Sequence, residues 1–212
     1  MLFTESVEKS TLELLKRIQD DEVFSAFFLV GGTALSLQIG HRRSIDLDFF
    51  SIKSIDIQEL TDHLRLNYNF NLDYLSKNTI KGEIKGVKTD FISHQYPLID
   101  EIKYFNQIRM ASQLEIAAMK LNAITGNGSR IKDFIDVAFL SAFYSLNDML
   151  EAYGRKYNSN KVLALKSLTY FEDINKDEPI HYLNSNTLDW KSIEDRIFEM
   201  VNSKYTVFEP IS

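Results

Sequence analysis

The stretch "SIDLDFF", residues 44–50, restricts the fold more than any other part of the chain. Large apolar residues alternate with charge: Ile45, Leu47 and Phe49 fall on one side of an extended backbone, and Asp46 and Asp48 on the other. That period fits a strand buried on one face and does not fit a helix. The two carboxylates then share a face, their Cα atoms about 6.6 Å apart, where they repel each other unless a cation lies between them. Just upstream, "FFLV" reads as a buried strand that stops at Gly31-Gly32-Thr33, and Ala34 to Ile39 follow as a short helix. A strand ending in glycines at a helix N-terminus exposes backbone N–H groups and the positive end of the helix dipole. A phosphate can approach such a turn closely, and Thr33 adds a hydroxyl.

Further along, "FNLDYLS", "TIKGEI" and "VKTDFIS" read as strands, the last two joined by a tight turn at Lys85-Gly86. In the third, Val87, Thr89 and Phe91 share one face and Asp90 points the other way, which offers a third carboxylate. Val7, Thr11, Leu14, Leu15 and Ile18 form the stripe of a first helix. Asp56 with Glu59 opens another that runs to about Leu66. From Ser112 onward the pattern is helical throughout. "SQLE" starts a helix through "IAAMKLNAI", with Ser112 as cap and Glu115 expected to bond back. "RIKDFIDVAFLSAFYS" follows, with Lys132, Asp133 and Asp136 expected on one side, and further helices are expected over 147–158, 160–172 and 189–203. The expected organisation is α+β: a mixed sheet packed by helices over residues 1–106, then a helical region over 107–212 that completes an active-site cleft.

Composition narrows the functional classes. The chain has 212 residues, 44% apolar and 25% charged, enough for one sizeable core or two small ones. A formal charge of −6 argues against general polyanion binding and confines any nucleic-acid contact to a local patch. With no cysteine there are no disulfides, thiolate metal sites or cysteine nucleophiles. "MLFTES" lacks the features of a secretion signal and no apolar run is long enough to span a bilayer, so the expectation is a cytoplasmic protein without membrane contact.

In order and spacing, "GGT", "RRSIDLDFF", "GVKTDFISH", "AAMKLNAI" and "KDFIDVAFL" resemble the AbiEii-type nucleotidyltransferases. These are the toxin components of abortive-infection toxin-antitoxin pairs, within the polymerase-beta-like superfamily. Over residues 25–140 the resemblance implies a minimal nucleotidyltransferase fold, two Mg²⁺ ions and a nucleoside triphosphate as cosubstrate. It also implies transfer RNA ends as an acceptor class and a cognate antitoxin as a partner. Asp46, Asp48 and Asp90 match the metal carboxylates. Gly31, Gly32 and Thr33 match the phosphate-binding turn, with Arg43 and Ser44 beside it. Lys120 matches a lysine near the nucleotide, and Lys132, Asp133 and Asp136 match a "KD" motif in which Asp136 is counted with the catalytic groups. Many superfamily members carry Gly-Ser where this chain has Gly-Gly-Thr.

Each piece alone has an ordinary reading: "GGT" as a turn, "DLD" as a solvated strand face, Arg42 and Arg43 as a charged loop where the other reading is a phosphate or RNA contact, Lys120 as a snorkelling lysine, the 132–136 set as an intrahelical ion-pair face, and His94 as a strand-end residue. Their combination favours a metal-dependent nucleotidyltransferase acting on RNA. Transfer to a small molecule or protein, or a non-enzymatic nucleotide-binding module, are the alternatives.

Overall fold

Burial of the Phe49 and Phe91 rings fixes the orientation of the central strands. Both rings are fully buried and stack with centroids 5.1 Å apart, and Phe24 stacks on Phe91 at 5.0 Å. Residues that alternate with them must face the other way. In the computed structural model, which describes residues 2–183 and 188–211, the chain divides into two compact units, Met1–Ala111 and Ser112–Ser212.

The first unit holds α1 (Lys9–Asp20), β1 (Phe28–Val30), α2 (Gly31–Ile39), β2 (Leu47–Ser51), α3 (Ile57–Tyr68), β3 (Asn71–Ser76), β4 (Thr79–Ile84), β5 (Val87–Ser93), β6 (Lys103–Phe105) and β7 (Ile108–Met110). All seven strands join one mixed sheet in the order β3-β4-β5-β2-β1-β7-β6. β2 runs parallel to β5 and antiparallel to β1. As expected, Asp56 caps α3 by accepting the Glu59 N–H at 3.0 Å, and the β4–β5 turn places both Lys85 and Gly86 at positive φ.

Two features differ from the sequence expectation. β2 begins only at Leu47, so Ile45 precedes the strand and is 57% exposed instead of joining the inward face. The β6–β7 hairpin turns at Asn106-Gln107, both at positive φ, and carries the first unit beyond residue 106 to Ala111. Arg109 fastens this edge. Its guanidinium donates to the carbonyls of Gln19, Phe24 and Phe27 at 3.0, 3.2 and 3.1 Å.

Asp21 joins α1 to α3. His63 and Tyr68 each lie 2.8 Å from Oδ2, and the Val23 N–H donates to Oδ1 at 3.0 Å. Burial alone would raise the carboxyl's pKa, but these hydrogen bonds outweigh it and hold the group below its ordinary 3.8. Because the folded value lies below the unfolded one, the contribution to stability is complete above the unfolded value. It disappears as pH falls through the folded value. Asp21→Asn should therefore flatten the loss of stability below about pH 4, read as urea midpoints at successive pH values, whereas an unchanged acid limb would exclude Asp21 as its source.

The second unit contains α4 (Gln113–Gly126), α5 (Ile131–Leu140), α6 (Leu146–Tyr157), α7 (Lys161–Ser167) and α8 (Trp190–Asn202). Ser112 caps α4 by accepting the Glu115 N–H at 3.1 Å. The Glu115 carboxylate does not bond back to that cap as expected. It is ion-paired with Lys156, and both side chains are almost completely buried. Phe134, Phe171 and Trp190 form an edge-to-face cluster with centroids 5.5–6.2 Å apart.

Candidate active site

Pairing of β2 with β5 aligns the carboxylates. Asp48 is in register with Asp90, so the two sit side by side on adjacent parallel strands, about 4.8 Å apart between strands. They share the face opposite Phe49 and Phe91. On β1, Val30 is the partner of Asp48, and the chain then turns at once into α2. Gly31 makes that turn at φ +71°, and a Cβ there would lie 2.6 Å from Asp48 Oδ2. The Asp48 carboxylate thus lies against the backbone at the start of α2, where the first N–H groups of the helix have no partner within the helix.

Gly31→Ala introduces both a disfavoured backbone conformation and a collision with Asp48. We expect a loss of about 1–3 kcal/mol in urea unfolding together with weaker Mg²⁺ binding by calorimetry. A variant matching the parent in both would show that the glycine is dispensable.

Other residues of the turn are fixed from within. The Thr33 hydroxyl, 1% exposed, donates to the Asp46 carbonyl and lies 2.8 Å from the Ser44 hydroxyl. It ties α2 to the approach of β2 and does not face outward as a phosphate donor. Asp46 stands just before β2 and is half-buried. Arg43 is exposed, whereas Arg42 is 2% exposed and its Nη2 lies 2.5 Å from the position a Cβ at Gly32 would take. The sequence weighs Arg42 and Arg43 together, as a charged loop or as a phosphate or RNA contact, but only Arg43 was placed at the turn, so the closeness of Arg42 to Gly32 was missed. Neighbouring arginines in a charged run look alike, and the closeness of Arg42 to Gly32 arises only when the chain folds back. Lys81 was also missed. It is in register with Asp90 on β4, with Nζ 3.0 Å from Asp90 Oδ2.

The remaining predicted residues belong to the second unit. Lys120 is 7% exposed and bridges Asp133 at 2.6 Å and Asp136 at 2.8 Å, while Asp133 and Asp136 are 2% and 0% exposed. Lys132 has a different partner. It pairs with Glu178 at 2.7 Å.

Among the described residues, no three His, Asp or Glu side chains converge into a ready cation cage. The donors fit Mg²⁺ all the same, since that ion takes one or two carboxylates and completes its shell with water and phosphate oxygens. Paired strand carboxylates beside a glycine turn at a helix N-terminus, on a mixed sheet of this order, define a nucleotidyltransferase-type core.

The model of the nucleotidyl transferase AbiEii toxin family, a type IV toxin-antitoxin system, matches residues 13–96 and 61–208, and the chain belongs to that family. It is a nucleotidyl-transferring enzyme. The uncharacterized protein aq_aa25 of Aquifex aeolicus (strain VF5) is 33% identical over 178 residues, 81% of this chain and 86% of its own length. Two crystal structures share the fold. One, described as a nucleotidyltransferase candidate from H. pylori, has a TM-score of 0.58 at 19% identity, covering 93% of this chain and 96% of its own. JHP933 from Helicobacter pylori has a TM-score of 0.58 at 20% identity, covering 94% and 93%.

Proposed function

We propose that the protein transfers a nucleoside monophosphate from a nucleoside triphosphate to a hydroxyl of an RNA acceptor, the 3′ end of transfer RNA being the leading candidate, and releases pyrophosphate. The observation that carries this reading is the in-register Asp48–Asp90 pair, with Asp48 pressed against the Gly31 turn. Asp46, Asp48 and Asp90 would hold Mg²⁺, which when bound offsets charge on the triphosphate and on the attacking and leaving oxygens. The backbone N–H groups at Gly31 and Gly32 bind the β and γ phosphates, and Thr33 and Ser44 hold that turn in shape. Asp90 accepts the proton of the acceptor hydroxyl as its oxygen attacks the α-phosphorus, and the bond to pyrophosphate breaks.

We assign Lys120, Asp133 and Asp136 to the scaffold of the second unit, because the lysine's ammonium is committed to two buried carboxylates. The family description supports a cognate antitoxin as partner. A cytoplasmic location belongs to the same proposal. Among the described residues no helix is long and apolar enough to cross a membrane.

Incubating the protein with each α-labelled triphosphate, total RNA and Mg²⁺ tests this reading. Label should move to RNA, and label that reaches only protein or small molecules would replace the acceptor assignment. The metal assignment has its own readout. Carboxylates gathered by the fold bind Mg²⁺ better than the unfolded chain does, so Mg²⁺ should raise the parent's melting temperature. The double substitution Asp46→Asn, Asp48→Asn should lose the Mg²⁺ response. A double variant that responds like the parent rules out these ligands.

A further inference from the structure

Beyond the carboxylates, on the same face of the first unit's sheet, three rings stack in series. Phe50 follows Asp48 by two residues on β2 and therefore shares its face. Its ring lies 4.5 Å from that of His94 at an interplanar angle of 28°, and His94 lies 4.6 Å from Tyr96 at 43°. Phe50 and His94 are half-buried and Tyr96 is 45% exposed, so the series runs from the sheet to solvent. Backbone hydrogen bonds hold it in place. The His94 N–H donates to the Ser51 carbonyl and the Tyr96 N–H to the His94 carbonyl, both at 2.8 Å.

Strand register fixes where this stack lies relative to the reaction. β1 is antiparallel to β2 with Val30 opposite Asp48, so Gly31 and Gly32 lie on the Asp46 side of the carboxylate row. β5 is parallel to β2 with Phe50 opposite Ile92 and Ser51 opposite Ser93, so Phe50 and then His94 lie on the other side. Along the strands the order is glycine turn, Asp48 and Asp90, Phe50, His94. An in-line displacement places the leaving and attacking oxygens on opposite sides of the α-phosphorus. With pyrophosphate leaving at the glycine turn, the acceptor oxygen must enter from the side that carries the rings.

We infer that Phe50, His94 and Tyr96 form a stacking platform for an unpaired base at the acceptor's end, an assignment that rests on the transfer reading of the carboxylate row. Aromatic rings bind unpaired bases through their π faces with little regard to sequence, and nearby cations hold the connecting phosphates. The segments of two exposed lysines are tied to the end of β5. Ser93, next to His94, donates its hydroxyl to the Lys53 carbonyl and its N–H to the carbonyl of Asn78, the neighbour of Lys77, both at 2.8 Å.

The test uses the full chain and two 5′-fluorescein probes read by anisotropy, a short oligoadenylate and an abasic oligomer of equal length. A non-hydrolysable ATP analogue with Mg²⁺, titrated by calorimetry, forms the second arm. Tyr96 is exposed and outside the strands, so its variants should fold. Tyr96→Ala should weaken oligoadenylate binding roughly 5- to 100-fold, Tyr96→Phe should keep it, and the abasic oligomer should bind weakly to all three. Affinity for the ATP analogue should stay within about twofold of the parent, since only the acceptor loses its contact. The platform is overturned if Tyr96→Ala binds oligoadenylate like the parent or if the abasic oligomer binds equally well. A loss confined to the ATP analogue overturns it too, because the rings would then serve the incoming nucleotide. Failure of the transfer reading looks different: a parent that releases no pyrophosphate yet shows Tyr96-dependent, base-dependent binding keeps the platform and loses the reaction.

Discussion

Lys120→Met should destabilise the protein by about 3–5 kcal/mol, because it removes a buried cation and leaves Asp133 and Asp136 facing each other out of water. Met keeps most of the lysine's volume, so the loss reflects charge and not a cavity. Adding Asp133→Asn and Asp136→Asn to Lys120→Met should recover much of the loss, since the charges then leave together. Urea unfolding of the single and triple variants checks this. A loss below about 1 kcal/mol for Lys120→Met would mean that the triad is solvated in practice, and would reopen its ammonium as a ligand for phosphate.

What could be read from the sequence was mostly period and caps. Alternation in "DLDFF" and "KTDFIS" fixed the faces of Asp48 and Asp90, because burying Phe49 and Phe91 leaves their neighbours no other direction. The capping residues Asp56 and Ser112 signalled their helices through local chemistry. Facts created by folding were not legible. Lys81 meets Asp90 only through the β4–β5 register, and Arg42 meets Gly32 only because residues 40–46 fold back on α2. The β6 and β7 strands are three residues each, too short for a period to show, and their turn is Asn-Gln where a hairpin signal would be Asn-Gly. Lys120 illustrates a different limit. Its place on a mostly apolar helix fits a ligand contact and a buried ion pair equally, and partners on α5 decide between them.

The Asp48–Asp90 row also accounts for how chemistry can be separated from binding. Asn at position 90 keeps the shape of the carboxylate while removing its charge and its capacity to take a proton. Asp46, Asp48 and the glycine turn remain to hold the nucleotide, and Lys81, 46% exposed at its side chain, stays solvated without its partner's charge. Loss of a positioned base reduces rates by roughly 10²-fold or more, whereas nucleotide affinity should stay within about tenfold.

The most direct measurement is therefore pyrophosphate release by Asp90→Asn and the parent in the presence of RNA, Mg²⁺ and the triphosphate that labels it, with nucleotide affinity measured by calorimetry on the same preparations. The account predicts near-parental affinity and a loss of transfer of roughly 10²-fold or more. Near-parental transfer by Asp90→Asn would contradict it.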